Sequence, residues 1–133
     1  MNGQDRELLF IDLCGRVPYE VIVCIDGTTN VKLASVSYWE EVEVQDGSRY
    51  LYDISDIKPY LFPLSSMTEE QKEEIEDKLI FPSNSNGGWI EILYNDKYNI
   101  PFWFVDFCNK NHFDYRGLIE KGLAIDATNL NIY

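Results

Sequence analysis

The chain has 133 residues, 45% of them hydrophobic and 14% aromatic, and a formal net charge of −12. This is enough for one domain with a proper core and short for two, and the composition excludes global disorder. The charge argues against direct nucleic-acid or anionic-membrane binding, and no apolar run approaches the ~20 residues of a membrane-spanning helix.

The opening MNGQDRELLFIDL has no basic leader and sets Asp5, Glu7 and Asp12 among its apolar residues. It does not read as a signal peptide, so a cytoplasmic location is expected. Residues 5–14 predict a short helix with Leu9, Phe10 and Leu13 on one broad face. Gly15 is expected in the left-handed position past its end, with Pro18 forbidding continuation. Asp5 and Arg16 suit the two ends of the helix dipole.

A strand-rich block follows. Residues 19–25 predict a strand with Tyr19, Val21, Val23 and Ile25 on one face and Glu20, Ile22 and Cys24 on the other. Both faces are apolar, which places the strand centrally. Asp26-Gly27 is a hairpin turn signal. Residues 30–38 alternate, with Val31, Leu33 and Ser35 opposed to Lys32, Ala34 and Val36. Residues 40–45 oppose Val42 and Val44 to Glu41, Glu43 and Gln45, a half-exposed strand with an acidic outer face. Asp46-Gly47-Ser48 turns the chain into a fourth strand at 49–54, completing an antiparallel meander.

Residues 55–66 carry Pro59 and Pro63, which argue against a central strand, so an ordered connector strapped across the sheet is expected. Thr68 and Gln71 form a capping box opening the helical run TEEQKEEIEDKL, whose narrow apolar stripe (Met67, Ile75, Leu79, Ile80) suits a helix lying on the surface. FPSNSNGG at 81–88 reads as a loop and WIEILY at 89–94 as a strand. Chain extended to about 100 and a helix from about 102 to 111 are expected. Asp114 is placed to cap a last short helix over 115–121, stopped by Gly122 with Leu123 behind it. The tail from 124 can add an edge strand.

The segments IKPYLFPLSSMTEEQK (57–72) and NKNHFDYRGLIEKGLAIDA (109–127), with the final NIY, closely resemble small uncharacterised proteins encoded in Bacteroides prophages and mobile elements. DLCGRVPYEVIV (12–23) resembles them more loosely. The resemblance implies phage or mobile-element accessory biology and carries no chemistry with it.

Three constellations remain. Residues 40–78 hold twelve acids and four basic residues. Glu41 and Glu43 on the third strand and Glu69, Glu70, Glu73, Glu74 and Asp77 on the helix are therefore candidates for binding a basic protein surface. His112, Tyr115 and Arg116, with Trp89 and Trp103, offer an alternative: an Arg fork and aromatic faces for a planar anionic, nucleotide-like ligand. Cys108 and His112, four apart, are a weak nucleophile–base pair with no oxyanion-stabilising motif beside it. Three cysteines (Cys14, Cys24, Cys108) without a secretion signal predict buried free thiols rather than disulfides. A Cys3His zinc site is formally open, but no CxxC pair supports it. No sequence motif calls for a cofactor. The expected fold is α+β, in one domain: an N-terminal helix, a small antiparallel sheet or SH3-like, partly open barrel, and two to three C-terminal helices ending in a clasp. The expected function is a non-enzymatic protein–protein interaction module.

Overall fold

The structure, a computed structural model, describes residues 1–77 and 101–133. The predicted loop at 81–88, the strand at 89–94 and Trp89 lie outside the described residues. The fold is α+β, with an open rather than closed sheet.

Helix α1 spans Gly3–Arg16 and starts from Asn2, whose side chain accepts the Asp5 amide. Residues 9, 12, 13 and 16 lie on its buried face. Gly15 is not the stop expected of it. It lies within the helix, where a Cβ would come within 3.1 Å of the Asn109 side chain, so glycine permits a close approach of a second helix. The chain leaves α1 through a 3-10 turn, Val17–Tyr19, and a left-handed Glu20 (φ 56°).

Four strands then form the predicted meander: β1 Ile22–Ile25, β2 Thr29–Val36, β3 Glu41–Val44 and β4 Leu51–Asp53. Asp26 and Gly27 both take positive φ (49° and 74°), and the Thr28 amide bonds the Ile25 carbonyl, the turn whose twist matches a hairpin. In β2 the register shifts between Leu33 and Ser35. This irregularity breaks the expected alternation: Val36, assigned to the opposite face from Leu33, packs against the same core.

The largest correction concerns residues 55–66. Ile57–Pro63 is not a strap but a central strand, β5, antiparallel to β1. Asp26 donates to the Asp56 carbonyl, so Cys24↔Lys58 is the next hydrogen-bonded pair and Val23↔Pro59 the non-bonded one. The missing N–H of Pro59 thus falls where the ladder to β1 requires no donor. Two short C-terminal strands, β6 Phe113–Asp114 and β7 Ile125–Asp126, pair parallel to β5, and the sheet order is β4-β3-β2-β1-β5-β6 with β7 also on β5.

Helix α2, Glu69–Glu76, carries the predicted capping box: Thr68 and Gln71 exchange side-chain and backbone bonds of 2.9 and 3.2 Å. Helix α3 is Phe102–Lys110, with Pro101 before its first turn. The helix expected over 115–121 is instead a single turn. Asp114 accepts the Leu118 and Ile119 amides, while Leu123 N bonds Leu118 O and Gly122 N bonds Ile119 O. The start cap and the Gly122 stop (φ 74°) are both present, but Gly117 between them also takes positive φ (74°), which a right-handed helix cannot hold.

One face of the sheet buries Val23, Ile25, Leu33, Val42, Val44, Ile57 and Leu61 against Leu9 and Leu13 of α1, closed by Leu118 and Leu123. A second cluster joins Met67 and Ile75 to Phe104, Phe107, Cys108 and Phe113, holding α2 and α3 together. A third packs Cys24, Tyr60 and Ala127.

Candidate functional site

The C-terminal clasp is built where α3 ends. Asn111 caps the helix and His112 turns left-handed (φ 62°), so the chain leaves the helix axis and enters β6. The His112 carbonyl accepts the Phe62 amide at 2.8 Å, and its ring stacks on Tyr133 with centroids 3.9 Å apart. Tyr133 in turn donates to the Tyr60 carbonyl and accepts the Ile22 amide, tying the last residue to two strands.

Behind this lies an ion cluster. Arg16 and Asp12 are both fully buried, with Nε–Oδ2 at 2.7 Å, and Arg16 also donates to the Phe113 carbonyl at 2.7 Å. Arg16 is expected from sequence to suit the C-terminal end of the helix dipole. The spacing 9, 12, 13, 16 puts it on the core face instead. Arg116 faces Asp12 at 3.5 Å. Both guanidinium groups lie over the Tyr115 ring, 5.2 and 5.1 Å from its centroid. This Asp12–Arg16 anchor was missed in the sequence, although i, i+4 pairing next to Leu9 and Leu13 was its signal.

The chemistry of this region is damped rather than activated. Burial pushes the Cys108 thiol up to about 12, despite an opposing effect from Arg16. A thiol that stays protonated is a poor nucleophile. Burial, with Arg16 adding to it, pushes His112 down to about 4, so the imidazole is neutral near pH 7 and gains nothing from the charged form expected at a helix end. Its exit from the helix also separates it from the Cys108 face that i, i+4 spacing predicts. Cys24 is buried as expected, but Cys14 is exposed on α1. Of the ligand candidates, Tyr115 and Arg116 come together, but around the protein's own Asp12 and Arg16. Trp103 packs in the α2–α3 cluster, and Trp89 is outside the described residues. A groove of about 370 Å³ is lined by Pro63, Leu64, Ser65, Asp114, Gly117, Ile119 and Glu120 and touches none of these candidates. Of its two carboxylates, Asp114 already accepts two backbone amides.

The acidic residues are arranged differently. On α2, Glu69, Glu70, Glu73, Glu74 and Asp77 are all exposed, while Met67 and Ile75 anchor the helix from beneath. Among the described residues of that helix, Lys72 is the lysine that answers them, 3.3 Å from Glu69. Glu41 and Glu43 lie half-buried on the outer side of β3, opposite Asp53 and Leu51 of β4, with Val42 and Val44 inward. Arg6 of α1 reaches Glu40 and Asp53 at 2.8 and 2.9 Å, and Asp53 is held well below the usual carboxylate range by that bond and by Ser55. Unpredicted beside this strand pair are Tyr38 and Trp39, 83% and 76% exposed. Among the described residues no helix is long and apolar enough to cross a membrane. Comparison with protein-family models, curated proteins and solved structures finds no match to this chain.

Proposed function

We propose that this chain is a non-enzymatic, acidic protein–protein interaction module whose partner presents a basic surface. The observation that carries this reading is the direction in which charge is folded. Arg16 and Arg116 turn inward onto Asp12, and Arg6 is held by Glu40 and Asp53. Glu69, Glu70, Glu73 and Glu74 of α2 face solvent, with Lys72 the one lysine among the described residues of that helix. Spending arginines internally leaves an exterior potential that attracts cationic surfaces and speeds encounter with them. The resemblance of segments 57–72 and 109–127 to prophage and mobile-element proteins of Bacteroides supports an accessory role. A host defence or nucleic-acid-handling protein with a basic groove is the natural target. The damped thiol and imidazole of the clasp support a role without catalysis.

The test is capture of host proteins by the chain and by its Glu69→Lys, Glu70→Lys, Glu73→Lys, Glu74→Lys variant. The expected result is a salt-sensitive partner retained by the first and lost by the second. An unchanged partner set would sink the proposal. A thermal-shift screen with nucleotides separates the alternative reading: no rise in melting temperature is expected, and a rise abolished by Arg116→Ala would instead support a nucleotide-like ligand at Tyr115 and Arg116.

A further inference from the structure

We infer that the open sheet edge at β4 receives an extended, basic segment of a partner protein as an added strand. Among the described residues, strand β4 is outermost in the sheet. The Ile54 amide bonds the Glu40 carbonyl at 3.1 Å, so Val42↔Tyr52 is the hydrogen-bonded pair of β3 and β4, and Glu41↔Asp53 and Glu43↔Leu51 are the non-bonded pairs. The amides of Leu51 and Asp53 therefore point away from β3, toward solvent. An edge of this kind is a template for another strand, and natural sheets usually blunt it.

This edge is dressed for contact instead. Tyr50 and Leu51 are 61% and 49% exposed on β4 and just before it. Tyr38 and Trp39, in edge-to-face contact at 5.2 Å, occupy the turn that meets the other end of β4 through Glu40 and Ile54. Exposed aromatics flank both ends of a strand whose outer edge has no neighbour among the described residues, beyond what a scatter of single apolar residues would produce.

The occupant follows from charge. Residues 40–56 hold six acids and a single base, Arg49. Among the described residues the ion pairs of this stretch are those of Arg6 with Glu40 and Asp53, which leaves Glu41, Glu43 and Asp46 facing outward. A second copy laid along this edge would set acids against acids. A segment alternating basic and apolar residues would instead meet Glu41 and Glu43 with its cations and reach the faces of Trp39, Tyr38 and Tyr50. This inference rests on the acidic-module reading for the sign of the partner's charge, and on the β3–β4 register for the mode of binding.

The experiment measures amide hydrogen exchange of the full chain with a short peptide of alternating lysine and valine. Slowed exchange at Leu51 and Asp53 is expected, and a peptide N-methylated on the residues that pair should not produce it. Leu51→Pro removes a donor that β3 does not use, so it should weaken binding about tenfold while leaving the fold intact. Trp39→Ala should weaken it about fivefold. If the proline variant does not fold, the N-methylated peptide on the unaltered chain decides. The inference is overturned by absent binding, by binding without protection at Leu51 and Asp53, by equal protection from the N-methylated peptide, or by protection that instead tracks self-association. Partner capture lost on α2 charge reversal but kept in Leu51→Pro would retain the acidic-module proposal and remove this one.

Discussion

The clasp and the acidic exterior use the same residue types to opposite ends. At the clasp, Asp12 and Arg16 pair with water excluded, and the partly exposed Arg116 approaches the same carboxylate. On α2 and its C-cap, acids at 69, 70, 73, 74 and 77 stand in solvent, with Lys72 alone among them in the described residues. The first arrangement is costly to assemble and costly to break, because removing one partner leaves a bare charge in a low-dielectric interior. The second costs little either way, because water screens it. The clasp therefore serves the fold, and the exterior is the region free to serve recognition.

The sharpest way to break this contrast is at Arg16. Arg16→Met leaves the fully buried Asp12 with Arg116 alone, 3.5 Å away, and should cost about 3 kcal/mol in urea unfolding. Adding Asp12→Leu should recover most of that loss, since an apolar pair of similar volume needs no desolvation. A double variant as unstable as the single one would mean that the link from Arg16 to the Phe113 carbonyl, not the ion pair, is what matters.

A smaller effect is expected with pH. His112 titrates near 4 in the folded chain against 6.5 in the unfolded one. Between these values the unfolded chain binds more protons, so stability rises with pH. The contribution of neutral His112 is complete above about 6.5 and is lost as pH falls toward about 4, reduced by the partial exposure of the ring. His112→Asn keeps a residue that tolerates positive φ and should flatten the slope of the urea midpoint between those limits. An unchanged slope would place the acid sensitivity elsewhere.

The smallest effect belongs to the exterior. Glu73→Lys turns its like-charge relations with Glu69 and Asp77 into favourable ones and should change stability by no more than ~0.5 kcal/mol, in the stabilising direction. A loss above ~1 kcal/mol would show that α2 depends on its acids structurally and would weaken the contrast with the clasp.

Local signals were legible wherever neighbours in sequence do the work. The Thr68–Gln71 capping box, the Asp26-Gly27 turn, the Gly122 stop and the four-strand meander all follow from residues a few positions apart. The errors share one cause. Pro59 reads as a bar to a central strand until the register shows that its nitrogen is not needed by β1. Gly15 reads as a helix stop until Asn109 is seen beside it. Arg16 reads as a helix-end cation until α1 is set against the sheet and β6, where it is buried against Asp12.

The amino-acid sequence by itself determined an α+β chain with an N-terminal helix, an acidic middle and a clasp-like C-terminus, because turn chemistry, periodicity and capping act over a few residues. Tertiary structure decided which charges lie inside. It placed Ile57–Pro63 at the centre of the sheet, set His112 against Tyr133, and left Leu51 and Asp53 on an open edge beside Trp39. Those outcomes depend on strand register and on which faces exclude water, and both are settled only when segments far apart in the chain meet.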